Sequence, residues 1–497
     1  MTFTAGIDAG TQSVKVVVYD SQARQVVASR SAALELLSGH DGSREQHPDA
    51  WTQAIDDCLA AIDPDVRQRI QCVAISGQQH GFVPLDAEGE VLAPAKLWCD
   101  TSSTTECAEI TEAIGGAARC IELTGNPILV GYTASKLPWT RKHRPEAYRR
   151  LAKILLPHDY LNFWLTGQAF CEFGDASGTG WLDVRNRRWS TEMLQAIDPQ
   201  RDLSACLPPL VDTATTFSIR ADRARQLGLP DTVLVAAGGG DNMMAAIGTG
   251  CVVPGRLVMS LGTSGTLFAY SDEPAVDAHG RWAAFCSSTG GWLPLICTMN
   301  CTVATETVAK LFGFSPRSGD GHIHSTEPGA GGLTFLPFLN GERTPDLPLG
   351  KGALTGLTPH NASPANFYRA AMEGATFTLK YGYEAFVAAG MRFDHIVLTG
   401  GGASSGAWRQ MVADIFGVPV QVPRDVEGAA FGAALQALWA LDQAQHRGTT
   451  FPALSDEHVS FDPSLAARPR PVVARAYEEA YQRFLVHLRA AQQLHSA

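Results

Sequence analysis

Three glycines, an aspartate and an asparagine stand together at Gly238-Gly239-Gly240-Asp241-Asn242, after an apolar run at 233–237 and before a helical run at 243–247. A carboxylate in that place has two readings. It can cap the helix by accepting from its first free N–H groups. It can also act as a general base where glycine lets a ligand approach the backbone. Capping alone does not call for three preceding glycines. A second carboxylate, Asp8, precedes the turn Gly10-Thr11-Gln12-Ser13, and a similar turn returns at Gly262-Thr263-Ser264-Gly265. Tight turns of this composition expose backbone N–H groups and short hydroxyls, which suit phosphate oxygens. Asp8 could hold Mg2+ through water, since Mg2+ binds carboxylates while keeping several waters; its plain alternative is a turn-forming role. Ser76-Gly77-Gln78-Gln79-His80-Gly81 is a polar loop after an apolar run, and loops at the carboxyl ends of α/β strands bind ligands. There the Gln79 backbone and the His80 side chain could bond sugar hydroxyls, or His80 could be satisfied locally. Thr399-Gly400-Gly401-Gly402-Ala403-Ser404 suits a nucleotide crevice or a plain glycine linker. It is not a GxGxxG fingerprint, and the chain has no GxxxxGK[ST] sequence, so an ATP site here is of another type.

Elements must bring these residues together. Strands are predicted over 3–8, 14–19 and 25–29, a meander opening on Asp8, and over 70–75 and 233–237. The pattern restarts with strands over 256–261 and 266–270, so an internal duplication with one copy per domain is the simplest account. The boundary is placed at 247–255, giving domains 1–247 and 248–497. Ser363-Pro364 opens a helix with an N-cap and a proline at its first position. A strand over 395–399 and a helix over 406–416 flank the second glycine run. The segment from Glu427 to Ala434 is rich in small residues for close helix packing. Residues 315–330 and 447–470 read as irregular connections, and the last helix docks through Tyr477, Ala480, Tyr481, Phe484, Leu485 and Leu488.

The bulk composition narrows the function. The chain has 497 residues, too many for one core, and 45% hydrophobic against 18% charged residues, ordinary for a packed protein. A net charge of −11 argues against a nucleic-acid partner and suits a neutral substrate. The eleven cysteines include no CxxC pair or His cluster at zinc spacing and read as reduced thiols. The opening MTFTAGIDAGT has no basic stretch followed by an apolar one, so no export signal is expected, and no apolar run is long enough for a membrane span. A cytoplasmic location without membrane contact is expected.

Together these elements resemble the FGGY carbohydrate kinases of the actin-like, ribonuclease-H-like ATPase superfamily, from about Gly6 to Ala434. Gly352-Ala353-Leu354-Thr355-Gly356-Leu357, Asn366-Phe367 and Ala370-Ala371-Met372-Glu373 are similar to one family signature. Gly131-Tyr132-Thr133-Ala134-Ser135-Lys136-Leu137-Pro138-Trp139 is similar to another, departing at Thr140. Glu45-Gln46-His47-Pro48, Leu156-Pro157-His158-Asp159-Tyr160 and Asp175-Ala176-Ser177-Gly178-Thr179 also fit. Within the family the resemblance is strongest to the members that phosphorylate D-xylulose. Gly239-Gly240-Asp241-Asn242 is similar to their catalytic segment, where glycerol-phosphorylating members usually carry Gln after the Asp. The sugar loop has Gln79 where Met is usual, and Trp98-Cys99-Asp100-Thr101-Ser102 has Ser102 where Arg is common.

The resemblance implies an α/β chain of two actin-like domains with a deep interdomain cleft, the first for sugar and base, the second for nucleotide. It implies ATP- and Mg2+-dependent conversion of D-xylulose to D-xylulose 5-phosphate in pentose catabolism. Asp241 is then the proton acceptor and Asp8 the second acidic residue, with Mg2+ on Asp8 through water. Gln79, His80, Asp241, Asn242 and Trp98 bind the sugar. Thr11, Gln12, Ser13, Lys15, Gly262, Thr263 and Ser264 line the phosphate path, and Gly400, Gly401, Gly402 and Ser404 the adenosine side. The expected partners are a small sugar and ATP, with a homodimer open. Other FGGY substrates (ribulose, glycerol, gluconate), a sugar-independent actin-like ATPase and a catalytically silent sugar sensor are the rival readings.

Overall fold

The computed structural model describes residues 2–424 and 428–495, so Glu427 lies outside the described residues. The chain divides into two compact units: Met1–Val252 with Ser271–Pro294 and Glu427–Val459, and Val253–Tyr270 with Leu295–Val426 and Ser460–Ala497.

In the first unit the main sheet runs Thr216–Ser218, Leu234–Ala236, Ile70–Gly77, Phe3–Ala9, Ser13–Asp20, Gln25–Ala33. Alternation sets its two faces. Phe3, Ala5 and Ile7 join a buried core with Val16, Val18, Trp51, Ile55, Leu161 and Leu165, which brings helices Pro48–Ala60 and Pro157–Thr166 to that side. Thr4 and Gly6 face the other way, toward helix Gly428–Ala444. Thr4 Oγ1 donates to the Ala434 carbonyl at 2.9 Å. A Cβ on Gly6 would fall 1.9 Å from the Ala430 carbonyl oxygen, so only glycine lets strand and helix backbones touch. Asp8 follows on the same alternation, at the strand's carboxyl end.

In the second unit the sheet runs from the end of strand Trp292–Thr298 through Gly265–Ala269, Gly255–Leu261 and Phe393–Thr399 to Val420–Gln421. Each unit thus has an antiparallel meander followed by strands parallel to its first strand. Even the irregularity repeats. The first parallel pairing shifts register between Phe3 and Thr4 in one sheet and between Gly255 and Arg256 in the other. Helix Pro364–Ala388 is capped by Ser363, whose side chain accepts from the Asn366 N–H, with proline in the first turn.

Two stretches read as irregular are partly helical. Residues 315–330 contain helix Gly319–His324, and residues 447–470 contain helix Phe451–His458. The second had a legible start: Thr450 is its N-cap, with Pro452 in the first turn. Tyr477, Ala480, Tyr481, Phe484 and Leu488 are the buried stripe of helix Pro471–His495. Among the described residues no helix is long and apolar enough to cross a membrane.

Candidate active site

The sheet of the first unit brings Asp8 and Asp241 to one edge. Asp8 is in register with Ser76 across one parallel pairing, and Ser76 with Gly239 across the next. Asp241 follows two residues later as the first residue of helix Asp241–Gly248. Two strand spacings separate the backbones, roughly 10 Å, and both carboxylates remain partly open to solvent. Ser76 Oγ donates to Asp8 at 2.7 Å. Asp241 Oδ1 accepts from the Asn242 N–H at 2.7 Å and from Asn242 Nδ2 at 2.9 Å. The cap position itself belongs to Gly240, so Asp241 stands inside the first turn rather than at the N-cap.

Enclosure of this edge shows in the protonation of both acids. Asp8 is raised by burial, against the Ser76 hydrogen bond and the Lys15 charge, which oppose the rise. Asp241 is pushed up to about 7, first by burial and then by the negative charge of Asp8. Lys15 is the cross-strand partner of Asp8. Two raised carboxylates at an edge partly open to solvent, one of them raised further by the charge of the other, are the donor set a divalent cation relieves; Mg2+ fits these residues.

The glycine run does something the sequence reading did not foresee. Its Cβ positions are filled by protein rather than left empty. A Cβ at Gly238 would lie 2.2 Å from the Ile75 carbonyl oxygen, at Gly239 2.4 Å from Ser288 Oγ, and at Gly240 2.8 Å from Gln79 Cγ. Each glycine meets a different wall, so the segment carrying Asp241 is close-packed.

The sugar loop lies against the same segment. Gln79 Oε1 accepts from Asn242 Nδ2 at 2.9 Å, and Gln79 Nε2 donates to the Met243 sulfur at 3.4 Å. Gln79 therefore acts on this segment through its side chain. His80 has a φ of +67°, a left-handed backbone uncommon outside glycine. Its ring packs on Tyr132 and Phe285, at 4.8 and 5.7 Å between centroids. A Cβ on Gly178 would overlap His80 Nδ1.

Trp98 ties the loop to the first phosphate turn. Its indole N–H donates to Thr11 Oγ1 at 2.9 Å, and Thr11 Oγ1 donates to Gln78 Oε1 at 3.0 Å. Gln46 accepts from Gln78 at 3.0 Å and donates to the Thr11 carbonyl at 2.8 Å. Sequence reasoning missed Ser76, Gln78 and Gln46 as linking residues; no spacing rule connects positions this far apart. The turn closes through the Gly10 N–H donating to the Ser13 carbonyl at 3.0 Å, and Gln12 is exposed. Ser102, which departs from the resemblance, is anchored: buried Lys96 donates to Ser102 Oγ and to Asp100, both at 2.9 Å.

Within the second unit the turn closes through the Gly262 N–H donating to the Ser264 carbonyl at 3.1 Å. Thr263 is exposed and Ser264 half-buried. Gly400 has a φ of +81°, and its Cβ would lie 2.7 Å from the Leu261 carbonyl. The second glycine run therefore lies beside the residue that enters this turn. Gly401 is open, while Gly402 packs on Leu261 and Trp408. Ser404 Oγ donates to the Gly401 carbonyl at 2.7 Å.

Models of the FGGY family of carbohydrate kinases match the chain, the N-terminal domain over residues 3–248 and the C-terminal domain over 257–441. The chain belongs to the FGGY carbohydrate kinases. Its fold is the two-domain α/β fold of that family, and as a family member it is a phosphotransferase that uses ATP and a sugar. It is 40% identical over 491 residues to a xylulose kinase of Haemophilus influenzae, covering 97% of this chain and 99% of that one. A crystal structure of a xyloylose kinase from Brucella ovis superposes with a TM-score of 0.92 at 33% identity, covering 99% of this chain and 100% of that one. A gluconate kinase structure from Lactobacillus acidophilus gives a TM-score of 0.90 at 23% identity, covering 99% and 98%. At that identity the likeness is one of fold.

Proposed function

We propose that this FGGY kinase transfers the γ-phosphoryl group of ATP to the C5 hydroxyl of D-xylulose, giving D-xylulose 5-phosphate, with Asp241 as the base. The observation that carries the mechanism is the Asp241 carboxylate, partly open, at the sheet edge and pushed up to about 7. A base poised near neutrality takes a hydroxyl proton as the O–P bond forms. The choice of D-xylulose is supported by the relative named xylulose kinase at 40% identity over 97% of the chain.

In this reading Asn242, oriented by its hydrogen bond to Gln79, presents Oδ1 to the sugar, and Gln79, whose amide is engaged with Asn242 and Met243, meets the sugar through its backbone. His80, in its strained backbone, and Trp98, fixed by Thr11, complete the sugar side. Thr11, Gln12, Ser13, Lys15, Gly262, Thr263 and Ser264 serve the phosphates, and Gly400, Gly401, Gly402 and Ser404 the adenosine. Asp8 holds Mg2+ through water, with Ser76 orienting its carboxylate. When bound there, Mg2+ neutralises charge on the phosphate oxygens. The same reading puts the enzyme in the cytoplasm, in pentose catabolism, where its eleven free thiols stay reduced.

ATP consumption measured with D-xylulose, D-ribulose, L-ribulose, glycerol and gluconate tests the substrate. D-xylulose should give the highest kcat/KM; a higher value with any other compound, or hydrolysis independent of sugar, sinks the assignment. The base must be ionised to accept a proton, and its pKa is raised. Activity is therefore lost as pH falls: kcat/KM drops about tenfold per unit below about pH 7. A flat profile from pH 5 to 8 would count against Asp241.

A further inference from the structure

Behind the glycine segment lies a buried group that the phosphoryl transfer does not use. His158, in helix Pro157–Thr166, is fully buried with Asp159 and Asp175. His158 Nε2 lies 2.6 Å from the Ala237 carbonyl oxygen. Nδ1 lies 3.1 Å from Asp159 Oδ1 and 3.5 Å from Asp175 Oδ2. We propose that His158 is a positioning residue for Asp241: seated between Asp159 and Asp175, its imidazole donates to the Ala237 carbonyl and fixes the glycine segment that carries the base. This rests on Asp241 being that base.

The geometry assigns the protons. A carbonyl oxygen and ionised carboxylates only accept, so both ring nitrogens must donate and the ring is an imidazolium. Asn162 Nδ2 also donates to the Ala237 carbonyl, at 3.1 Å. It reaches 2.9 Å from Nε2 because two donors converge on one oxygen. The charge balance agrees. Burial alone would lower the His158 pKa, but the Asp159 and Asp175 carboxylates outweigh it and push it up to about 10. Neither oxygen of Asp175 has a hydrogen-bond partner among the described residues; burial pushes its carboxyl up to about 7, and the imidazolium 3.5 Å away opposes the rise, so above that pH Asp175 is a carboxylate facing the ring.

The need for such a clamp comes from the sequence. Between Ala237 and Asp241 stand only glycines, which hold no side chain of their own in a wall. Gly239 and Gly240 pair with Ser76 and Gly77 of the neighbouring strand, and the Ala237 peptide is the anchored unit that leads into that pairing. Its N–H donates to the Thr215 carbonyl at 3.1 Å, and its carbonyl is held by His158. Two glycines make room for the imidazole side. A Cβ at Gly238 would lie 2.9 Å from His158 Nε2, and one at Gly77 2.8 Å from His158 Cβ. Freed from this clamp, Ala237 and Gly238 can shift the short paired strand that leads to Asp241, and a displacement of about 1 Å costs on the order of 10²-fold in rate.

His158→Leu fills much of the same space and removes the donor to the Ala237 carbonyl. It should lower kcat on the order of 10²-fold, with KM for ATP held within about twofold, since the residues assigned to the nucleotide are not touched. Unchanged kcat in a folded variant, or a loss carried by KM for ATP, overturns the proposal. Asp241→Asn is assayed beside it: if that variant keeps its activity, the base assignment has failed rather than the clamp. A second measurement needs no variant. Nitrogen-15 histidine spectra of the full chain at about pH 8.5, some two units above an ordinary histidine pKa, should show one imidazole protonated on both nitrogens. Spectra with every imidazole neutral at that pH overturn the proposal.

Discussion

Asp241→Asn abolishes most turnover and leaves the protein no less stable. The substitution keeps the size of the side chain and an oxygen that can accept from the Asn242 N–H, now made at 2.7 Å. It removes the only property the reaction needs there, a site for a proton. General-base assistance contributes about 10²–10⁴-fold, so kcat with D-xylulose falls by that factor while KM for Mg-ATP stays within about twofold. The stability readout has its own sign. Because the folded-state pKa of Asp241 is raised to about 7, the folded enzyme keeps a proton that the unfolded chain has released. Stability is therefore lost as pH rises from about 4 through about 7. The neutral asparagine escapes that loss, so at pH 8 the variant should melt at or above the wild-type temperature. Steady-state kinetics and a thermal melt on one preparation check both halves. A variant that is inactive because it is unfolded, or folded and fully active, contradicts the prediction.

Gly432→Val removes the fold instead of the chemistry. A Cβ at Gly432 would lie 1.7 Å from the Met244 carbonyl oxygen and 2.8 Å from the Gly248 nitrogen. Helices Asp241–Gly248 and Gly428–Ala444 therefore cross with their backbones in contact. Helix Gly428–Ala444 is held just as closely elsewhere, against Gly6 at Ala430 and against Gly248 at Gly428, so it cannot back away from one contact without losing the others. Overpacking usually costs about 1–3 kcal/mol where side chains can yield. Here the obstacle is backbone, and about 4 kcal/mol or more is expected, a value reserved for severe core damage. A loss of that size lowers the melting temperature by roughly 4–6 °C in a chain of this length or prevents soluble expression. Gly321→Ala is the control, since a Cβ there meets nothing within 4 Å; it should be neutral or slightly stabilising. A Gly432→Val protein melting within a degree or two of wild type would show that the helices separate easily.

The parts of this enzyme legible in its sequence are those with local causes. The meander, the two Gly/Thr/Ser turns and the helix after Ser363 follow from alternation, turn chemistry and capping within a few residues. The placement of Asp8 and Asp241 on one edge was half legible, because each follows an apolar strand. The purpose of the three glycines was not. Their reading as open space for a ligand gives way to close packing against Ile75, Ser288 and Gln79, contacts spanning up to 163 residues of chain. The same holds for Gln79. Its side chain bonds Asn242 across the site, and nothing in a six-residue loop motif says which partner an amide will find. His80's left-handed backbone is likewise imposed by tertiary packing rather than by its neighbours in sequence.

The helix that covers Thr4 and Gly6 comes from Gly428–Ala444, more than 400 residues further along the chain. A ribosome makes the strands first and this helix some 400 residues later. Through most of translation, then, the Thr4–Gly6 face of the N-terminal sheet has no permanent cover, and the edge that carries Asp8 cannot be finished. Domains are often expected to fold one after another as they emerge. This one is stitched shut only after that helix has emerged, so the window in which nascent sheet surface invites chaperones or wrong neighbours is set by the time needed to synthesise everything in between.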